Sequence, residues 1–337
     1  MKVAVTGGTG FVGSHTVAEL IKRGHEVKLL VRSPDRVRRA LDPLGVGEVE
    51  TKAGDVTDEQ AVASLLEGCD AVIHCASIYS LDPSAARVIK ETNVRGTDAV
   101  LGTAQRLGLD PIVHVSSYVA FLGKPEITVH PESEPTQPKP VYAASKAESE
   151  RVARRCQQSG APVVITYPGM VWGPHDPYFG DTAIVARHML SNYLIMMPNG
   201  RFPITDVRDV ARLHAAVMEK GQGARRYFCT AHNTPVKKLY RELSAITGRS
   251  LPCLTIPGWM MLPSLVPLNA LEGLLGFRTP WTYQGAYSVA TAPQVDDSKT
   301  RSELGIEPKP LTDTLTDTIR WLAEVGYISK RLAGKAA

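Results

Sequence analysis

An α/β fold, built as a doubly wound parallel sheet with a smaller C-terminal lobe, is what three features of this sequence predict. The chain opens on a short apolar strand, Lys2 to Thr6, that runs straight into a turn of spaced glycines and a helix start. Strand-like and helix-like stretches then alternate through about residue 175, the pattern of successive βαβ units. At 337 residues the chain exceeds one typical domain. The expected division is one domain over 1–171, to which 202–220 returns, and a smaller lobe from 172–201 and 221–337.

Composition narrows the function classes. With 43% hydrophobic, 6% aromatic and 21% charged residues the sequence is that of a globular chain, neither disordered nor fibrous. A net charge of +4, with Lys and Arg dispersed, leaves no nucleic-acid footprint. Cys69, Cys75, Cys156, Cys229 and Cys253 show no CxxC or Cys/His ligand spacing, so reduced thiols and no metal site are expected. The chain begins in a strand with no charged leader or cleavage site, and the expected location is cytoplasmic. The longest apolar region, Ile256 to Phe277, carries one charge, Glu272, and is interrupted by Pro257, Pro263 and Pro267. A membrane-spanning helix is therefore not expected there.

The opening motif is Thr6-Gly-Gly-Thr-Gly-Phe-Val-Gly13. In its GxxGxxG spacing, Gly7 permits a tight turn, Gly10 lets backbone approach a diphosphate, and Gly13 lets helix and strand pack closely. A helix beginning near Phe11 aims its unpaired N–H groups and positive dipole end at that diphosphate, so Thr9, Phe11 and Val12 join the glycines as candidate dinucleotide contacts. Val17, Leu20 and Ile21 keep helical spacing up to Gly24, a C-terminal cap, and Glu26 to Val31 completes the first βαβ unit.

That second strand ends at Arg32, where the adenosine ribose is met. A guanidinium there suits a 2′-phosphate, an acidic residue a free 2′-hydroxyl, so NADP is expected over NAD. The next strand, Glu48 to Ala53, leads to Asp55 and Val56, candidates for the adenine edge and face; Asp55 as a helix cap is the alternative. Ala71 to Cys75 is the fourth strand, with Ala76 and Ser77 as small residues beside the cofactor and His74 as a structural histidine. A helical stretch, Ala85 to Leu107, carries Asn93. The fifth strand, Ile112 to Ser116, is followed by Ser117.

A proline-studded loop then gives way to Tyr142-Ala-Ala-Ser-Lys146 at the start of another helix. Four apart, Tyr142 and Lys146 share a helix face. A free phenol, with a pKa of about 10, is a poor acid or base near neutrality. A neighbouring ammonium and a nicotinamide cation would favour the phenolate and lower it. Ser117 at the strand end could orient the same substrate oxygen, completing a site that makes or breaks an O–H bond while hydride moves.

In this order the motifs resemble the extended short-chain dehydrogenase/reductase superfamily: the glycine turn, Asp55-Val56, His74-Cys-Ala76, Asn93-Val-Arg-Gly-Thr97, Ser116-Ser117, Tyr142 to Lys146, and Pro168-Gly-Met-Val-Trp-Gly-Pro174. The resemblance covers about the first 175 residues and continues more weakly to the last helix. It implies a Rossmann fold, Tyr142 as catalytic acid/base, Lys146 on the nicotinamide ribose, Ser117 aligning the substrate oxygen, Asn93 in the same machinery, and Pro168 to Val171 lining the nicotinamide pocket. Many relatives carry arginine where this chain has Tyr167, which weighs against a nucleotide-sugar substrate. Leu30-Val-Arg-Ser-Pro34 looks most like the NADPH-dependent dihydroflavonol-4-reductase-like branch.

Beyond residue 172 the chain reads as a helix over Ala183 to Leu194, a short strand and a helix over Phe202 to Val217 that return to the first domain, a strand over Tyr227 to Thr230, a helix through Leu239 and Leu243, and a closing amphipathic helix over Leu311 to Val325. Between them Trp259-Met-Met-Leu262 and Pro280-Trp281 could line a pocket for a lipophilic carbonyl or alcohol, or simply form core. The expected activity is an NADP(H)-dependent oxidoreductase acting on a small molecule; self-association as a homodimer is compatible with it. The rivals are a nucleotide-sugar epimerase or dehydratase that retains NAD, and a non-catalytic dinucleotide sensor.

Overall fold

The computed structural model describes residues 1–79, 85–191, 194–229, 232–275, with backbone only over 268–275, and 282–337. Seven strands form one parallel sheet: β1 (Lys2–Thr6), β2 (Glu26–Val31), β3 (Glu50–Ala53), β4 (Ala71–His74), β5 (Ile112–Val115), then, beyond the short β6 (Thr128–Val129), β7 (Val163–Pro168) and β11 (Arg225–Cys229). Their spatial order is β11-β7-β5-β4-β1-β2-β3. The order reverses between β1 and β4, so a crevice opens at the carboxyl ends of those two strands.

Strand periodicity sorts the side chains into two cores. Ala4, Val72, Ile112 and Ile165 face α3 (Glu59–Leu66), α5 (Gly96–Arg106) and α6 (Val141–Gln158). Val3, Val5, Ile73, Val113 and Val164 face α1 (Phe11–Lys22) and α8 (Val207–Ala216). Burial on both faces is why these strands are continuous apolar runs. The helix α8 returns across the chain to lie along α1, pinned by buried His214, which bonds Thr16 Oγ1 at 2.8 Å and Thr166 Oγ1 at 3.1 Å.

The smaller lobe holds a three-stranded sheet, β12 (His232–Pro235), β10 (Arg201–Asp206) and β8 (Met170–Trp172), and a parallel pair of β9 (Ile195–Pro198) with β13 (Cys253–Ile256). These pack on α7 (Asp181–Ser191), α9 (Val236–Thr247) and α13 (Leu311–Glu324) around Trp172, Leu239 and Leu315. Asp206 joins the two parts: it caps α8 through Arg208 N–H (2.8 Å), pairs with Arg208 (2.6 Å) and accepts from Thr314 Oγ1 on α13 (2.9 Å).

Three expectations change. Residues 225–229, grouped by sequence with the smaller lobe, form the edge strand of the main sheet, because Tyr227 and Phe228 extend both apolar faces beyond β7. The apolar segment forms one helix, α10 (Gly258–Leu275), that runs through Pro263 and Pro267. Each proline removes one hydrogen bond, and packing of Met261 and Leu265 against Ala286 on α11 (Tyr283–Ala290) offsets that loss. No helix among the described residues is long and apolar enough to cross a membrane. Trp259 and Met260 are 77% and 51% exposed, whereas, among the described residues of this region, Leu262, Tyr283 and Tyr287 join the core that Tyr142 borders. Phe277 and Pro280-Trp281 lie outside the described residues.

Four buried histidines couple the fold to pH, and burial holds His114 well below the ordinary value as it does the other three. Burial lowers His15 from 6.5 to about 4, and His74 and His214 to about 3. The unfolded chain protonates them near 6.5 while the folded protein keeps them neutral. Their contribution to stability is thus complete above that pH and lost as pH falls toward the folded values, by about 1.4 kcal/mol per pH unit for each. Urea midpoints measured from pH 7 to 4.5 should fall steeply below pH 6; a flat profile would mean that the histidines protonate within the native state.

Candidate active site

The crevice begins at the glycine turn. Gly7 has φ of 73° and lies so close to Ala76 that a Cβ would sit 2.6 Å from its backbone nitrogen. A Cβ on Gly13 would collide with the Gly7 carbonyl, which itself accepts Gly10 N–H at 2.9 Å. At Gly10, by contrast, a Cβ would meet only that carbonyl, and the space ahead of it is open to a ligand. No side chain caps α1. The N–H groups of Phe11, Val12 and Gly13 precede the first acceptor inside the helix, and Thr9 borders the same turn, so this end presents donors to an anion. The residues present therefore fit a dinucleotide diphosphate.

At the adenosine end, Arg32 is 60% exposed and its guanidinium lies 4.0 Å from Asp55. Arg36 and Arg39 are engaged elsewhere: both stack on Tyr178, at 5.5 and 4.9 Å, and Arg39 Nε donates to Pro177 O at 2.7 Å. This clamp ties the 174–180 loop to α2 (Asp35–Leu41). Asp55 is not a helix cap. It accepts from Thr57 N and Oγ1 at 2.9 and 2.7 Å, while Asp58 caps α3. Burial opposes ionisation of Asp55, but the Thr57 bonds and Arg32 hold its carboxyl below the ordinary value. The Val56 side chain packs on Gly96 and belongs to the core on that side of the sheet.

At the other end, α6 and the end of β5 bring the chemistry together. Lys146 is buried, and its Nζ donates to Val115 O at 3.0 Å, two residues before Ser117. Ser117 Oγ donates to Pro168 O at 3.4 Å, linking the ends of β5 and β7, with Val171 following on β8. Tyr142 stacks edge-on against Tyr79 at 4.5 Å. Burial raises its phenol above the ordinary value, Tyr118 and Asp181 add to this, and the nearby Ser77 hydroxyl, which makes no well-formed hydrogen bond of its own, acts in the opposite direction. The Lys146 ammonium is turned to Val115 O, one turn along α6 from Tyr142. Burial brings Lys146 itself down to about 8, opposed by Cys75 and Glu150.

Asn93 lies in a π-helical turn, Glu91–Arg95, between α4 (Ala86–Lys90) and α5. Such turns often mark functional positions. Its amide accepts from Ile78 N (2.7 Å) and donates to Ile78 O and Ser145 Oγ (both 3.0 Å). All of these bonds fasten the loop after β4 to α6. His74 is structural, held by Thr6 Oγ1 at 2.7 Å and Thr97 Oγ1 at 3.2 Å.

Tyr167 requires a correction. It is fully buried on the α6 side of the sheet, its hydroxyl donating to Glu150 Oε1 at 2.7 Å. It cannot touch a substrate, and its identity carries no weight against a nucleotide-sugar. Tyr79, Tyr118 and Asp181 beside Tyr142 had no sequence signal, since they come from three separate segments; Glu150, one turn beyond Lys146, was legible as a continued four-residue spacing.

Comparison with known proteins agrees with this geometry. Residues 3–229 match the model of the NAD dependent epimerase/dehydratase family. A putative dihydroflavonol 4-reductase of Synechocystis is 29% identical over 331 residues, covering 96% of this chain and 95% of the relative. Sterol demethylase protein B of Methylococcus capsulatus is 29% identical over 335 residues, covering 97% and 100%. Among solved structures, the UDP-glucuronic acid 4-epimerase of Bacillus cereus, in complex with UDP-glucuronic acid and NAD, superposes with a TM-score of 0.76 at 19% identity, covering 96% of this chain and 100% of that one, which supports the fold. The chain belongs to the NAD-dependent epimerase/dehydratase family and is an NAD(P)-dependent oxidoreductase of the extended short-chain dehydrogenase type.

Proposed function

We propose that this protein is an NADP(H)-dependent carbonyl reductase or alcohol dehydrogenase acting on a lipophilic substrate. The observation that carries the reading is the meeting of α6 with the end of β5: Lys146 bonds Val115 O, Ser117 follows two residues on, and Tyr142 stands one turn before Lys146. The dinucleotide, when bound, supplies or accepts hydride at its nicotinamide ring. Tyr142 gives a proton to the substrate oxygen as a carbonyl is reduced, or takes it as an alcohol is oxidised. Ser117 holds that oxygen, and Lys146 places a positive charge behind the phenol. Residues 1–171 with the returning α8 form the cofactor-binding part, and Arg32 meets the 2′-phosphate.

Two features favour a lipophilic substrate. Tyr142, Leu262 and Tyr283 border one apolar cluster with Tyr118 and Tyr287. Asp181, which acts on Tyr142, pairs with no cation among the described residues and is raised by burial to about 6; its charge disfavours a diphosphate there. The test is to supply NADPH or NADH with lipophilic ketones, aldehydes and nucleotide-sugars and follow net cofactor oxidation. Net loss of NADPH with a hydrophobic carbonyl is expected. Tightly retained NAD and an isomerised sugar, without net oxidation, would overturn the reading in favour of an epimerase.

A further inference from the structure

Beyond Tyr142 and Lys146, α6 repeats its four-residue step twice more, to Glu150 and Arg154, and both of these charges are buried: Glu150 is fully shielded and Arg154 is 4% exposed. Ionised groups are rarely buried without a partner, since removing them from water is costly. Glu150 Oε1 is well satisfied, accepting from Tyr167 OH and from Arg154 Nε, each at 2.7 Å. Arg154 in turn reaches Glu134 Oε1 at 3.1 Å and Ser133 O at 2.7 Å. Glu150 Oε2 is different: it is buried and has no hydrogen-bond partner among the described residues. One face of α6 thus carries tyrosine, ammonium, carboxylate and guanidinium in turn, ending at Glu134 on the surface.

Lys146 needs such a neighbour. Around it stand Cys75 at the end of β4, His74 on β4, His114 on β5, and Tyr142 and Glu150 on its own helix. The two histidines are buried and neutral, stacked 5.8 Å apart, and Cys75 is pushed up to about 12, so it remains a thiol. Glu150, one turn beyond Lys146 on the same face of α6, is then the one carboxyl among the groups acting on Lys146, and it acts against the desolvation of the ammonium.

We propose that Glu150 is a positioning residue for the acid/base pair, its buried carboxylate keeping Lys146 an ammonium so that Tyr142 works with a positive charge behind it. The assignment rests on the reading of Tyr142 and Lys146 given above, but the charge on Lys146 can be measured without turnover. Glu150→Gln keeps the shape and removes the charge. In apo protein with ε-13C-labelled lysine, the Lys146 resonance, identified by its loss in Lys146→Met, should titrate about one unit lower in Glu150→Gln than in the parent chain. The pH profile of kcat should move the same way, giving roughly a fivefold loss at pH 8 that is recovered at pH 6.5, with KM little changed.

A purely structural role would lower the melting temperature and leave both titrations in place, and that result overturns the proposal. Should Glu150→Gln fail to fold because Arg154 is left unpaired, the double variant Glu150→Gln with Arg154→Met removes both charges. Its Lys146 titration must show the same shift for the proposal to stand. A shifted lysine resonance in a protein that turns over no carbonyl would uphold the role of Glu150 and overturn the proposed reaction instead.

Discussion

Tyr142→Phe should lower turnover by roughly a thousandfold while leaving dinucleotide binding within about twofold of the parent chain, because general acid–base groups contribute on the order of 10²–10⁴. The expectation rests on position. Tyr142 stands one turn before Lys146 on α6, and its ring is packed against Tyr79. Phenylalanine preserves that packing and removes only the oxygen, so folding and the glycine cradle at Gly7, Gly10 and Gly13 are untouched. Fluorescence titration with NADPH and a steady-state assay on the same preparation separate the two quantities. Activity within tenfold of the parent would remove Tyr142 from the catalytic role, and weakened cofactor binding would make it a structural residue of the pocket.

Arg32→Asp should raise the KM for NADPH by about ten- to a hundredfold and leave that for NADH within about threefold. A hydrogen bond to a charged group is worth about 1.5–3 kcal/mol, and an aspartate adds repulsion of the 2′-phosphate. The structure isolates Arg32 for this purpose. Arg36 and Arg39 are committed to Tyr178, and the Asp55 carboxylate lies at 4.0 Å from an Arg32 that is largely exposed. With Arg32 gone, Asp55 is left to face the ribose, and a free 2′-hydroxyl suits two carboxylates. Equal losses with the two cofactors would show that Arg32 is a solvated surface group and that NADP is not selected at this position.

These two variants act at opposite ends of the crevice, so their effects should add. The double variant then serves as a control on the separation of binding from chemistry.

The linear pattern was enough to place the crevice. Lys2 to Thr6 reads as a buried strand because both its faces are apolar, and the glycines at 7, 10 and 13 restrict what can follow, since a side chain at 7 or 13 would collide with backbone. The same holds for Tyr142 and Lys146, whose shared face follows from helical periodicity alone. Local rules of this kind need no knowledge of what lies across the sheet. Where the reading depended on what a side chain meets from a distant segment, it failed or was silent. Tyr167 looked like a substrate-side departure, yet strand alternation turns it to Glu150 and Arg154. Trp259 and Met260 looked like a pocket lining and instead face solvent, because α10 buries its other side on α11.

By itself, then, the sequence determined the order of strands and helices in the main sheet, the glycine turn, and the placing of Tyr142 and Lys146 on one helical face, all consequences of spacing along the chain. Tertiary structure alone decided that Asn93 ties the loop after β4 to α6, that Arg36 and Arg39 are held on Tyr178 while Arg32 stays exposed, and that Tyr79 packs on Tyr142 with Asp181 acting on the same phenol. Those outcomes depend on which segments are brought within a few ångströms of each other, and on burial, which raises Tyr142 and lowers Lys146 by removing both from water.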